Sequence, residues 1–366
     1  MTSSGQNQWS FDPGWPASVF DWMSRADRQP IFAVDSHTAG TPTRIILSGV
    51  NLPADVTTVR DARAWLRAEA DWIRRRIVHE PRGGGLTCAV LPVATSRDDP
   101  QDGWDIGAVI LEPGAYPPMC GHCMIGFAAV IAELDLLPHL WNDDRSTMTV
   151  RILAPAGVVT ATVQSDEDAG FRVELANVPS YPVRRDTYTL ADGTPVTVDL
   201  LWGGDYYLTI DATTIPLDLS RRNSTQITMM GRQVREAAQK RELTDPATGE
   251  VLDVYQVMFF ERLGSDASVV RSVVVAPPAQ IDRSPCGTGT SALLSYLTST
   301  GELPAESIMR SRSIIDAEFT ARATDPEIVN GRTQVVPHIG GTAHINGFLT
   351  IVADKNDRLA DGFDPI

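Results

Sequence analysis

Two cysteines, each at the mouth of an almost wholly apolar helical run, constrain this chain more than any other feature. The first run, PPMCGHCMIGFAAV, covers residues 117 to 130, and the second, RSPCGTGTSALLSYL, covers residues 283 to 297. Cys120 to Pro138 and Cys286 to Pro304 both span 18 positions, and each run closes on Leu-Pro, at Leu137-Pro138 and Leu303-Pro304. Neither run carries a polar stripe, so each helix belongs inside a core. Its N-terminus must stay reachable all the same, because glycine, imidazole and hydroxyl groups follow the cysteines where an apolar plug would otherwise sit. The repeat predicts two halves that present one thiol each to a common pocket built on two buried helix ends.

The remaining segments fit that scheme. Strand-like runs rich in β-branched residues occupy 31 to 35 and 43 to 50, and a helical period runs over 59 to 80 until Pro81 and three glycines end it. Strands follow at LTCAVLPV and WDIGAVILE, and a hairpin-like alternation leads out of the first cysteine helix. The second half repeats the order: strands near 170–177, 196–202 and 206–212, a helix at about 224–242, strands in 251–275, then the second cysteine helix. TAHINGFLTIVAD reads as a terminal hairpin. The reading is an α+β fold in which each half wraps a mixed sheet around one central apolar helix, with the active site in the cleft between them. It assigns residues 1–30 to an N-terminal arm. Residues 31–160, with a return at about 340–366, form a first half carrying Cys120, and residues 161–339 a second half carrying Cys286.

Composition removes several function classes. A formal charge of -15 argues against a broad phosphate-neutralising surface, so nucleic acid is not an expected partner. No window reaches the roughly 18 uninterrupted apolar residues of a membrane span, and the first residues lack a signal-peptide pattern. The expectation is a cytoplasmic protein without a membrane partner, with a homodimer as an admissible assembly. Four cysteines, Cys88, Cys120, Cys123 and Cys286, are too few and scattered for a disulfide framework. The only lysines, Lys240 and Lys355, sit in the polar strings QKRE and DKND, and neither offers the buried amine that a pyridoxal-phosphate enzyme needs. EPRGGGLTC has neither of the glycine spacings that cradle phosphates. No cofactor is expected.

Thiols at helix starts have a definite chemistry. The first four N–H groups of a helix lack intrahelical partners, and the macrodipole adds roughly half a positive charge there. A cysteine in that position can fall from a pKa of about 8.5 into the range of roughly 3.5–7.5, and the same N–H groups hold carboxylates. Two such ends facing one cavity would clamp a small acid between a thiolate and a thiol. That arrangement suits removal of a proton α to a carboxylate on one face and its return on the other.

DSHTAGTPTR (35–44), EPRGG (80–84), YPPMCGHCMIG (116–126), WGGDYY (202–207), IDRSPCGTGTSA (281–292) and GTAHINGF (341–348) together resemble the proline racemase family, over about residues 31 to 366. The resemblance implies a fold like that of diaminopimelate epimerase. It implies an activity among proline racemase, 4-hydroxyproline 2-epimerase and trans-3-hydroxyproline dehydratase, acting on a small-molecule amino-acid substrate without pyridoxal phosphate. By position it makes Cys120 and Cys286 the two acid/base residues. Gly121, His122, Gly287 and Thr288 would hold the substrate carboxylate, and Asp282 the ring nitrogen. Dehydratases of the family generally carry threonine where Cys286 stands, so two thiols favour epimerisation.

Four positions depart from the family pattern. Cys123-Met124 replaces a small pair, Gly84 stands where a histidine is usual, and the histidine that 4-hydroxyproline epimerases place near Val257 and Met258 is absent. Ala276 replaces the bulky aromatic with which racemases of free proline close the ring pocket. A smaller wall favours a ring bearing a substituent, hence hydroxyproline over proline, and leaves the substituent's position open.

One rival class comes from CGHC itself, the redox motif of protein disulfide isomerases. That motif normally follows a strand and a tryptophan in a thioredoxin-like unit, whereas here two prolines and Met119 precede it. No metal site is expected from Cys120, His122 and Cys123, because adjacent ligands rarely converge on one tetrahedral ion and no fourth ligand is evident. Cys88, inside LTCAVLPV, reads as a core residue.

Overall fold

The computed structural model describes residues 28–94, 103–166, 170–265, 267–304 and 306–363, with positions 18, 21, 22 and 25 besides. Most of the N-terminal arm of residues 1–30 and of the loop ATSRDDPQDG lies outside the described residues.

The chain opens on a hairpin, β1 (Ile31–Thr38) and β2 (Thr41–Ser48), turned by Ala39 and Gly40, both at positive φ. The two left-handed residues match the twist of the strands they join. The helical period over 59–80 resolves into two helices, α1 (Val59–Ala68) and α2 (Asp71–Val78). Thr58 caps α1 by accepting from the Asp61 N–H at 3.0 Å. The break at Glu69 and Ala70 re-aims the chain, so that Val59, Ala62 and Leu66 of α1 and Ile73 and Ile77 of α2 bury in one apolar cluster. β3 (Cys88–Val93) runs parallel to β2, and β4 (Ile106–Leu111) antiparallel to β3.

The first cysteine helix, α3 (Gly121–Glu133), is buried along its whole length to Ala132, as its all-round apolar sequence requires. Around it run β1 to β4 and the meander β5 (Thr147–Ala154), β6 (Gly157–Asp166) and β7 (Gly170–Ala176). β8 (Tyr181–Thr189), β9 (Pro195–Trp202) and β10 (Tyr206–Asp211) precede the amphipathic α4 (Ser224–Ala238). β11 (Gln256–Arg262), β12 (Val269–Ala276) and the short β13 (Gln280–Ile281) lead to the second cysteine helix, α5 (Gly287–Ser299). β14 (Met309–Arg312), β15 (Glu318–Val329) and the 20-residue β16 (Arg332–Ile351) complete the chain.

The segment expected as a terminal hairpin is instead the far part of β16. That strand pairs β15 through its first residues, β7 through His338–Thr342, and β1 through Ala343–Ile351. The β1 pairing closes β1 to β7 and β16 into a ring of strands around α3. From β16 the sheet continues through β15, β14, β12, β11, β10 and β9 to β8. Ser180, just before β8, bridges back to Val335 of β16. α5 packs against β8, β9, β12, β15 and β16. The boundary expected at residue 160 falls inside β6, and β6 and β7 pair with β5 and β16 in the first ring.

The architecture is α+β with a barrel-like mixed sheet. Side chains of α3 and α5 share one apolar cluster, which includes Met124, Ile125, Phe127, Leu293, Leu294 and Leu297. Each such burial contributes roughly 1.5–3 kcal/mol, so the two central helices are anchored along their length while their N-termini stay polar. Among the described residues no helix is long and apolar enough to cross a membrane.

Candidate active site

Cys120 and Cys286 are the N-cap residues of α3 and α5, and the two helices meet end to end at the residues that follow. A Cβ built on Gly121 would lie 2.6 Å from Gly287 Cα, and one built on Gly287 would lie 2.7 Å from Gly121 Cα. No side chain fits there, which is the physical reason each cysteine is followed by glycine. Cys286 itself has φ 64°, a left-handed conformation that costs a non-glycine residue on the order of 1–3 kcal/mol. The surrounding bonds hold it: its N–H donates to Ser284 Oγ at 3.1 Å, and the preceding Pro285 carbonyl accepts from Ser272 Oγ at 3.0 Å and Thr290 Oγ1 at 3.1 Å.

One cleft of about 500 Å³, its open mouth included, gathers most of the residues singled out in the sequence. Cys120, His122, Asp282, Cys286, Thr288 and Ala276 all line it. Gly121 and Gly287 lie behind the lining, at the contact of the two helices. The cleft also brings in Thr41, Glu112, Asp205, Tyr207 and Gln256, to which the sequence reading assigned no role. Thr41, Asp205 and Tyr207 stand inside DSHTAGTPTR and WGGDYY, so the motifs carried a signal for them. Glu112 and Gln256 sit at strand ends with no spacing to mark them.

The two thiols have different partners. Cys120 Sγ is 3.2 Å from His122 Nδ1, whereas Cys286 Sγ is 3.2 Å from Tyr207 Oη, which also lies 2.6 Å from Thr288 Oγ1. Asp282 receives Thr41 Oγ1 at 2.5 Å, the Ser284 N–H at 2.9 Å and Ser284 Oγ at 3.1 Å, so its carboxylate both caps a turn and faces the cleft.

Burial dominates the electrostatics and corrects the expectation of low thiol pKa values. It pushes Cys286 up to about 12, with the Asp282 charge adding to the rise, and it pushes Cys120 well above the ordinary thiol range. His122 moves the other way for an imidazole: burial pulls it down, but Cys120, Asp282 and Glu112 outweigh burial and raise it to about 9. Glu112 is pushed up to about 7 by burial, and Asp205 to about 8 by burial and by Glu112. A thiolate in this cleft therefore depends on its neighbours, a protonated His122 for Cys120 and the Tyr207 hydroxyl for Cys286.

The departures from the family pattern have distinct outcomes. Gly84 stands clear of the cleft lining, with nothing within 4 Å of where a Cβ would be, while Gly85 lines it. Val257 and Met258 are fully buried in the core, and the neighbouring Gln256 takes the cleft position. Cys123 and Met124 are fully buried in α3. Cys88 belongs to the core cluster and also reaches the cleft.

A family model described as proline racemase matches residues 33–364. The chain belongs to the proline racemase family. It is 33% identical over 334 residues to a 4-hydroxyproline 2-epimerase of Streptosporangium roseum, covering 90% of this chain and 97% of that protein. It is equally, 33%, identical over 342 residues to a 3-hydroxyproline 2-epimerase of Burkholderia multivorans, covering 90% and 96%. A crystal structure of a hydroxyproline epimerase from Agrobacterium vitis with bound trans-4-hydroxy-L-proline superposes with a TM-score of 0.81 at 26% identity, covering 92% of this chain and 95% of that one. Relatives of similar identity also include trans-3-hydroxy-L-proline dehydratases of Burkholderia, at 32% and 33%. Family membership accords with a cleft built on two cysteine-capped helices and not with a thioredoxin-like redox unit.

Proposed function

We propose that this chain is a cofactor-independent hydroxyproline 2-epimerase in which Cys120 and Cys286 exchange the α-proton on opposite faces of the substrate. The observation that carries the reading is that both cysteines occupy the N-cap positions of helices that abut at Gly121 and Gly287, and both line one cleft. The working division is into two halves of the diaminopimelate-epimerase type, one around α3 and one around α5, with β16 shared between them.

In this mechanism the free N–H groups at Gly121, His122, Gly287 and Thr288 hold the substrate carboxylate and stabilise the charge that spreads onto it as the α-carbon flattens. Asp282 receives the ring nitrogen. The Cys120 thiolate takes the α-proton and becomes a thiol, while the Cys286 thiol gives its own proton to the opposite face and becomes the thiolate. The reverse reaction exchanges the roles. Protonated His122 at 3.2 Å and the Tyr207 hydroxyl at 3.2 Å offset the burial that opposes each thiolate.

Two features favour a substituted ring over bare proline. Ala276 leaves space in the wall, and Gln256, whose Oε1 has no hydrogen-bond partner among the described residues, offers an acceptor to a ring hydroxyl. Relatives of equal identity, 33%, are named for epimerisation at different hydroxyproline positions and for dehydration of trans-3-hydroxy-L-proline, so overall similarity does not choose between them. The test is proton NMR in D2O with L-proline, both 4-hydroxyproline diastereomers and both 3-hydroxyproline diastereomers. Loss of the α-proton with growth of the C2 epimer of a hydroxyproline is the expected result. Loss of water from 3-hydroxyproline would assign a dehydratase, and no exchange with any of the five would refute the reading.

A further inference from the structure

Beneath the cleft the fold collects more sulfur than a two-thiol reaction uses. Cys88, the first residue of β3, and Cys123, in the first turn of α3, come together around the His122 ring. The two Sγ atoms and a ring nitrogen lie within 4.8 Å of one another, and all three residues are buried. Cys123 Sγ is 3.5 Å from His122 Nε2, while Nδ1 of the same ring faces Cys120. Glu112, immediately after β4, lines the same cleft as Cys88 and His122.

This is a donor set with a recognisable preference. Zinc takes thiolate sulfur at about 2.3 Å and imidazole nitrogen at about 2.0–2.1 Å, so tetrahedral ligand atoms stand roughly 3.4–3.8 Å apart. The Cys123–His122 distance of 3.5 Å already has that value. Along the sequence, Cys120, His122 and Cys123 lacked a remote ligand to complete a site. β3 supplies one in Cys88. Cys88, Glu112 and His122 line the cleft, which provides a route for a small ion.

We propose that Cys88, His122 and Cys123 form a binding site for one thiophilic divalent cation, zinc or cadmium, with Glu112 adjacent, and that occupancy stops the thiol chemistry by drawing His122 away from Cys120. Binding releases one proton from each of the two thiols as the two metal–sulfur bonds form, and the proton of the His122 imidazolium as its ring nitrogen turns to the ion, so affinity rises with pH. The cation site stands whatever the substrate; only its inhibitory effect rests on the epimerase reading.

Cadmium titration of the reduced, metal-free full chain, followed by the ultraviolet thiolate-to-cadmium charge-transfer band, tests the site without reference to activity. One cadmium per chain is expected, with the band retained in Cys120→Ala and in Cys286→Ala. Cys88→Ala and Cys123→Ala should each bind cadmium more than about 100-fold more weakly, since loss of a ligand exceeds the 10–100-fold cost of losing an outer-shell partner. Cys88→Ser carries the test should Cys88→Ala fail to fold. Zinc inhibition of α-proton exchange should weaken by more than about tenfold in Cys123→Ala, with its basal rate kept. A band that survives in both Cys88 and Cys123 variants but vanishes in Cys120→Ala or Cys286→Ala would place the ion on the cleft thiols and overturn the proposal. Absence of any band in the wild type, or unchanged zinc sensitivity in Cys123→Ala, would overturn it as well.

Discussion

The Thr41 hydroxyl donates to Asp282 at 2.5 Å and accepts the Ser284 N–H at 2.8 Å, joining the first hairpin to the second cysteine turn across 241 positions of chain. Both bonds fix the direction in which the Asp282 carboxylate faces the cleft. Thr41 is thus a positioning residue, acting through Asp282. Thr41→Val, which keeps the shape and removes the hydroxyl, should lower kcat/KM by roughly 10–100-fold, the cost of a lost hydrogen bond to a charged group of about 1.5–3 kcal/mol. Thr41→Ser should restore most of it. Equal losses in the two variants would show that Thr41 acts by packing alone.

Replacing either thiol tests the two-base scheme. Cys120→Ser and Cys286→Ser should each lower epimerisation by roughly 10²–10⁴-fold, the usual contribution of a positioned acid or base, because serine ionises far less readily than cysteine. Each single variant should still exchange the α-proton of one enantiomeric configuration in D2O, from the face that keeps its thiol. Near wild-type inversion in either variant would end the scheme.

Glu112 makes stability depend on pH with a definite sign. Its carboxyl titrates near 4.5 when unperturbed and is pushed up to about 7 by burial in the folded protein. Below about pH 4.5 it is protonated in both states and contributes no difference. As pH rises toward 7 the unfolded chain ionises while the folded chain keeps its proton, so stability falls, and the full penalty is on the order of 3 kcal/mol above that range. Glu112→Gln removes this term. Its melting temperature relative to wild type should therefore be higher at pH 8 than at pH 5, and an offset that is the same at both values would show that Glu112 is ionised in the folded protein throughout.

Ala276 lines the cleft wall, and in the proposed function it sets the room beside the substrate ring. The wild type should show a higher kcat/KM for a hydroxyproline than for proline, and Ala276→Phe should reverse the order by filling the cleft wall. Side-by-side kinetics on both amino acids decide this, and a wild type that strongly prefers proline would contradict the assigned role of the wall.

The repeated helices were legible because burial leaves a local signature. An apolar run with no polar stripe can only be a core helix, and α3 and α5 are buried along nearly all of their length. The family motifs likewise marked the cleft residues Cys120, His122, Asp282, Cys286 and Thr288. Where the reading went astray, the deciding contact was remote in sequence. The segment after 341 alternates like a hairpin, but its partners are β1 and β7, more than 160 residues away. The helix over 59–80 broke in two because both pieces had to cover one face of the sheet, a demand that periodicity alone does not express.

By itself, then, the sequence determined the α+β class, the two cysteine-capped core helices and the glycine after each thiol, because propensity, hydrophobic period and motif spacing are properties of neighbouring residues. Only the tertiary structure decided that the two helix ends abut at Gly121 and Gly287, and that Glu112, Asp205, Tyr207 and Gln256 share the cleft. It also decided that Cys88 joins His122 and Cys123, and that the thiols are pushed up rather than down. Desolvation and cross-chain proximity depend on what surrounds a group in space, and a helix dipole read from the sequence cannot be weighed against burial until that surrounding is known.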